Sequence, residues 1–303
     1  MEESLLRELI GRVPQWSGAQ GGAVSFLAGG ITNRNYRVEV NGEAFVLRVG
    51  GANTELLGIN RRHEYEAHRA AAGLGIAPEV IHFLEPEGYL VTRFIAGRPI
   101  PPAEMGQPEN IERVAEALRR IHHLPAVAAT FSPFRTVEEY TQTARRYGVA
   151  FPADFGWYLE RMKEIEQAFL RDPFTPCLCH NDLLNENFLD DGRLRILDWE
   201  YAGMGDPFFD LANFAAHHQL SDDQQHHLLS CYFTPPNSKP STFNLQSSIF
   251  ARLKLMEIMS DFREAMWGLV QCGISDLDFD FRSYADRYFQ RMAANLIASD
   301  YTK

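Results

Sequence analysis

The chain is poor in the features that mark several large classes of protein. Its 303 residues include only four cysteines, Cys177, Cys179, Cys231 and Cys272. They offer one Cys-x-Cys but no Cys-x-x-Cys and no metal-finger spacing, which excludes a disulfide framework and a zinc finger as readings. Cys177 and Cys179 alternate within FTPCLCHND, the pattern of one face of a buried strand, and a reducing compartment is expected. Basic residues are short as well: 29 Lys and Arg stand against 40 Asp and Glu, a net charge of -11. Nucleic acid requires a basic surface, so it is not an expected partner, whereas a cationic small molecule is compatible with this charge. No apolar run reaches membrane-spanning length, and the amino-terminal MEESLLRELIGRV is acidic and has no apolar core. The expectation is a soluble cytoplasmic protein with no membrane partner. Internal repeats and low-complexity tracts are missing too. What remains is a chain long enough for two lobes that share one cleft.

The richest stretch runs from Leu178 to Asn213. It sets His180, Asn181, Asp182, Asn187, Asp198, Glu200, Asp206 and Asp210 between apolar runs that read as buried strands. Asp191-Gly192, flanked by Phe188 and Leu189 before and Leu194 and Ile196 after, is a two-residue turn signal. With that turn, Asp190 pairs with Arg193, Asn187 lies opposite Ile196, and Asp198 lies opposite Asn185. Asn187, Asp198 and Asp182 then crowd one end of a hairpin. An amide oxygen and a carboxylate suit magnesium, which binds through few protein oxygens plus phosphate. Asp182, left off the metal, can accept a proton from a substrate hydroxyl during phosphoryl transfer.

His-Asn-Asp-x4-Asn followed by LDWEYA resembles the choline/ethanolamine kinase branch of the aminoglycoside-phosphotransferase-like kinases. The resemblance implies an α+β, protein-kinase-like bilobal fold. Residues 1–95 would form a nucleotide-binding lobe with a five-stranded antiparallel sheet plus a helix. Residues 96–303 would form a larger, mostly helical catalytic and substrate-binding lobe. It further implies ATP and Mg2+ as cofactors.

From the start of the chain, Leu5, Leu6, Leu9, Ile10 and Val13 define a short amphipathic helix. Strands follow over 23–27, 36–40 and 44–49, the last two joined by Asn41-Gly42, a strong hairpin signal. The loop holding Gly29, Gly30, Thr32 and Asn33 is small and donor-rich, and can bring backbone N–H groups to phosphates. Arg48 on the third strand stands where the family keeps the base that holds nucleotide phosphates, and guanidinium does so bidentately. On the next helix, over 60–73, Glu64 is the expected acidic partner of Arg48, with Glu66 the alternative. Strands over 80–84 and 89–94 complete the sheet. The chain then crosses at Thr92-Arg93-Phe94, where the fold binds adenine to backbone, and Arg93 is counted among the nucleotide-binding residues. Helices are expected over 108–125, 137–147, 155–170, 210–219, 221–233 and 249–271, the fifth opened by a Ser221-x-x-Gln224 capping box. The 234–242 segment, TPPNSKPST, reads as a loop. The pairs His217-His218 and His226-His227 read as helix-face residues, since neighbours on a helix point in different directions.

The tail resembles the closing motif of choline/ethanolamine kinases, in which aromatic rings and acids surround an ammonium group. That assigns Trp267, Phe279, Tyr284 and Glu264, together with Glu200 and Tyr201, to substrate binding. An aromatic face attracts a cation and a carboxylate adds complementary charge. Core aromatics on terminal helices are the competing reading. Where the eukaryotic family carries a second tryptophan, this chain has Glu264, which favours amines able to donate hydrogen bonds. Asp210 is expected to brace the catalytic loop and His180 to pack against it. The expected activity is ATP- and magnesium-dependent phosphorylation of an amino alcohol hydroxyl, choline or ethanolamine first. The alternatives are another hydroxyl compound (thiamine, an aminosugar or an aminoglycoside) or a nucleotide-binding pseudokinase.

Overall fold

The computed structural model describes residues 3–16, 23–28, 33–234 and 247–298. Gly29, Gly30 and Thr32, and most of the expected 234–242 loop, lie outside the described residues. The first part of the chain gives helix α1 (Glu3–Gly11), strands β1 (Val24–Leu27), β2 (Asn33–Val40) and β3 (Glu43–Gly50), helix α2 (Arg61–Gly73), and strands β4 (Val80–Leu84) and β5 (Tyr89–Arg93). The strands form one antiparallel sheet in the order β1-β2-β3-β5-β4. Asn41 and Gly42 turn β2 into β3 with φ of 52° and 81°. Two positive φ values match the right-handed strand twist in a two-residue turn, and Val40 pairs with Glu43 across it. Asn60 caps α2 by accepting the N–H groups of Arg62 and His63.

The rest is mostly helical. Short β6 (Arg98–Pro99) and α3 (Pro102–Met105) lead into α4 (Pro108–His122), α5 (Pro133–Arg146) and α6 (Phe155–Arg171). Strands β7 (Cys177–Cys179), β8 (Phe188–Asp190), β9 (Leu194–Ile196) and β10 (Gly203–Gly205) carry the central stretch, and α7 (Pro207–His217), α8 (Asp222–Phe233), α9 (Ser247–Ile274) and α10 (Phe281–Ala298) finish the described chain. Both halves of the expected capping box form at Ser221 and Gln224. Cys177 and Cys179 lie on one strand with their sulfurs 3.8 Å apart, unbridged.

The hairpin at Asp191-Gly192 departs from expectation by one residue. Asp190 pairs with Leu194, Leu189 with Arg195 and Phe188 with Ile196, so the loop is Asp191-Gly192-Arg193. The Asp190 and Asp191 carboxylates cap the backbone N–H groups of Gly192 and Arg193 at 2.9 and 3.2 Å, and Gly192 takes φ of 91°. A three-residue loop with a left-handed glycine accommodates those side-chain bonds. Asn187 consequently faces Leu197, whose N–H it accepts at 2.8 Å, rather than Ile196.

Two hydrophobic clusters divide the interior. The smaller holds α1, Trp16 and one sheet face through Val38, Phe45, Leu47, Val49 and Val91. The larger fills the helical part and also takes in Ala67 and Ala71 of α2. Every residue of α9 from Leu255 to Gln271 is buried. Helix α9 lies between α5, α7 and α10, and an encircled helix has no solvent face on which to place its charges.

Candidate active site

The catalytic loop is held from beneath by Asp210. This fully buried carboxylate on α7 accepts the backbone N–H of His180 at 2.8 Å and of Asn181 at 2.7 Å. His122 Nε2 lies 3.0 Å from the same group. Asn181 is thereby fixed with φ of 66°, a left-handed turn that costs energy for a non-glycine residue. His180 Nε2 donates to the carbonyl of Leu197 at 2.8 Å, so its Nδ1 is left to accept the N–H of Asp182 at 3.2 Å. Burial depresses the His180 pKa, keeping the ring in the neutral form that this pairing needs.

Asp182 emerges from this loop buried, with its pKa pushed up to about 6 by burial, against the pull of Arg263. Asn187 donates its amide to the Asp182 carbonyl at 2.8 Å, which directs its side-chain oxygen away from the loop. Asp198 follows β9 in a left-handed conformation with φ of 58°. Burial, and then the charge of Glu200, push its pKa up to about 7. Arg48 on β3 reaches across to Asp198 Oδ1 at 2.6 Å and forms a buried ion pair with Glu64 on α2. Of the two glutamates considered, Glu64 is the partner of Arg48. Asn187 and Asp198 offer an amide oxygen and a carboxylate, an all-oxygen set of low number beside a crowd of acids, and this chemistry fits magnesium.

Asn33 and Glu200 belong to a neighbouring network. Asn33 Nδ2 donates to Glu200 Oε2 at 2.8 Å, and Arg61 Nη1 reaches both Glu200 Oε2 at 3.0 Å and Glu64 Oε2 at 2.8 Å. Arg61 crosses Gly50 so closely that a Cβ there would stand 2.9 Å from Nη2. Arg61 escapes a reading from sequence because its role depends on this crossing. The Arg93 side chain faces away from Arg48. It pairs across the sheet with Phe45 and therefore shares the face covered by α1, opposite Arg48. Its guanidinium is taken by Glu79 and Glu43, each at 2.8 Å, and it does not enter the cleft.

At the other end, Tyr201, Glu264, Trp267 and Tyr284 come together. Trp267 Nε1 donates to the Tyr201 hydroxyl at 3.1 Å, Tyr284 donates to Glu264 Oε2 at 2.6 Å, and the Trp267 and Tyr284 rings lie 5.4 Å apart edge to face. Phe279 sits at the outer rim, 45% exposed and 6.1 Å from Tyr284. Glu200 turns away from this cluster towards Arg61. An open cleft of about 270 Å3 instead adjoins Glu200 and Tyr201, with Phe131, Glu139, Asn60 and His63 along its walls. Sequence reasoning also missed Arg263, whose side chain is 1% exposed and donates to Asp182 Oδ1 at 3.0 Å.

A sheet over a helical body, with acids and amides converging where they meet, defines a kinase-like phosphotransferase. The comparisons agree: the pattern of the phosphotransferase enzyme family matches residues 23–236, and the chain belongs to that family. Protein LicA of Haemophilus influenzae is 30% identical over 226 residues, covering 71% of this chain and 64% of LicA. The chain thus spans less than two thirds of that relative's length. Human ethanolamine kinase 2 is 24% identical over 91% of this chain and 78% of its own. The crystal structure of a choline/ethanolamine kinase family protein from Mesorhizobium loti superposes with a TM-score of 0.80 at 31% identity, covering 98% of this chain and 95% of that one. An aminoglycoside phosphotransferase structure shares the fold at a TM-score of 0.65. No helix among the described residues is long and apolar enough to cross a membrane.

Proposed function

We propose that the chain transfers the γ-phosphoryl group of ATP, with magnesium, to the hydroxyl of a small amino alcohol, ethanolamine or choline first. The observation that carries the reading is the convergence of Asp182, Asn187, Asp198 and Arg48 from three segments, the loop before β8, the stretch after β9 and strand β3. Asp182 takes the hydroxyl proton. Asn187 and Asp198 hold the metal, which neutralises charge on the phosphates when bound. Arg48, braced by Glu64, holds phosphate oxygens, with Gly29, Gly30, Thr32 and Asn33 as further nucleotide-binding residues. Residues 1–95 form the nucleotide side and 96–303 the acceptor side. The cleft lined by Glu200, Tyr201, Phe131 and Glu139 supports a cationic acceptor, since acids and aromatic faces both attract ammonium. Trp267, Phe279 and Tyr284 back the Tyr201 wall.

An ADP-release assay over ethanolamine, its methylated forms, choline, thiamine and aminoglycosides tests this, with Asp182→Asn as the control. Turnover with an amino alcohol that falls by about 10²-fold or more in the control is expected for loss of a general base. Turnover confined to aminoglycosides, or a control as fast as the parent, overturns it.

A further inference from the structure

The acid and the aromatic ring expected to attract a substrate cation already hold one of the protein's own. Arg263 lies on α9 with its Cζ 4.2 Å from the centre of the Tyr201 ring. Its Nη1 donates both to Asp182 Oδ1, at 3.0 Å, and to Glu264 Oε1. Its Nε and Nη2 have no hydrogen-bond acceptor among the described residues, so the π face of Tyr201 is what compensates the buried charge on that side. Both Glu264 oxygens are engaged, Oε1 by Arg263 and Oε2 by the Tyr284 hydroxyl. Glu264 itself is 2% exposed. Burial opposes its ionisation, but Arg263 overrides that and holds its pKa well below the usual carboxylate range. Buried and engaged at both oxygens, Glu264 presents no open face to a substrate ammonium, and between the two carboxylates stands a fixed guanidinium.

We propose that Arg263 is a positioning residue for Asp182, and that Glu264 and Tyr284 serve the reaction through Arg263 without touching the substrate. The proposal rests on Asp182 as the base. One Asp182 oxygen is pinned by Arg263 while the other lies 3.4 Å from the Asn187 amide, so the carboxylate plane is set from two sides. Held by one ion pair alone, Arg263 would be free to swing about its long side chain. Glu264 on one side and the Tyr201 ring on the other remove that freedom. The acceptor's cation is then left to the open cleft lined by Tyr201, Phe131 and Glu139, away from Glu264.

The test is a kinetic cycle over Arg263→Met, Arg263→Lys, Glu264→Gln, the Arg263→Met/Glu264→Gln double variant and Tyr284→Phe, each assayed with the best amino alcohol. Arg263→Met is expected to lower kcat by about 10²-fold, the scale of an ångström-sized misplacement of a catalytic group. KM for the alcohol should stay within about twofold, because uniform binding is untouched. Arg263→Lys should recover part of the loss. The double variant should be no slower than Arg263→Met, since groups acting in series are non-additive. A Glu264→Gln variant that raises KM for the alcohol about tenfold at constant kcat, whether or not Arg263 is also changed, overturns the proposal. So does an Arg263→Met enzyme as active as the parent. Should Arg263→Met fail to fold, Tyr284→Phe and Glu264→Gln decide alone: a kcat loss at constant KM supports the relay, and a KM rise or no change in either constant refutes it. Asp182→Asn separates the two layers. If it retains full turnover the base reading fails, whereas an inactive Asp182→Asn beside an unaffected Arg263→Met rejects only the relay.

Discussion

Replacement of Asp210 by alanine should destabilise the protein and slow it together. Asp210 accepts two backbone N–H groups at 2.8 and 2.7 Å and faces His122 at 3.0 Å, in a site with 0% exposure. Hydrogen bonds to a charged group contribute about 1.5 to 3 kcal/mol each, and donors left unpaired in a buried site retain their full desolvation cost. The two backbone bonds alone therefore amount to about 3 to 6 kcal/mol, against about 5 to 15 kcal/mol for a whole domain. A fall in Tm of roughly 5 to 10 °C follows. Asp210→Asn keeps one acceptor oxygen and should lose about half as much. Asn181, no longer held at φ of 66°, should relax and carry Asp182 out of register, lowering kcat by about 10²-fold. Thermal denaturation followed by circular dichroism, with hydrogen exchange at the His180 and Asn181 amides, measures both effects. An Asp210→Ala protein that melts within about 2 °C of the parent and exchanges those amides no faster would falsify the bracing assignment.

The two remaining predictions are narrower. Arg93→Ala should leave the nucleotide KM within about twofold and cost no more than about 1 kcal/mol, because its bonds to Glu43 and Glu79 are surface pairs; a tenfold rise in nucleotide KM would return Arg93 to the cleft. His68 is buried with its pKa lowered to about 3, by burial first and then by the charge of Arg48. Below its ordinary value near 6.5 the unfolded chain takes up a proton that the fold refuses, so stability falls as pH drops from about 6.5 to 3, by about 1.4 kcal/mol per pH unit at most. Urea titrations between pH 7 and 4 should show a shallower slope for His68→Gln than for the parent, and equal slopes would contradict the assignment.

The parts of the molecule legible in the sequence are those fixed by local chemistry. Asn41-Gly42 dictates its own turn, and with it the register that puts Arg48 on the cleft face. The Ser221 and Gln224 box closes as its spacing requires. Asp191-Gly192 shows the limit: the same residue pair serves a two-residue or a three-residue loop, and the carboxylates of Asp190 and Asp191, by capping the next N–H groups, select the longer one. The face taken by the Arg93 side chain is hidden for a related reason, since it follows from pairing with Phe45, which no local pattern states. Arg263 was hidden by convention. A charged residue on a helix reads as solvent-facing, and only the packing of α5, α7 and α10 around α9 reverses that. Glu64, by contrast, is recoverable because its helix is short and its distance from the Ala77-Pro78 break is fixed.

Arg48 sits on a strand whose opposite face belongs to the smaller core, while Ala67 of the helix bearing Glu64, and the Ile196 and Trp199 that flank Asp198, belong to the larger. The seam between the two cores is therefore bridged, at the phosphate end, by Arg48 with a partner on either side of its fork, and beside it by Asn33 on Glu200. Asp182, Arg263, Glu264 and Tyr201 all hang from the larger body. On the proposed function, a displacement of the sheet would act on the groups that hold the donor's phosphates and leave Asp182, Arg263 and Glu264, all on the larger body, in place.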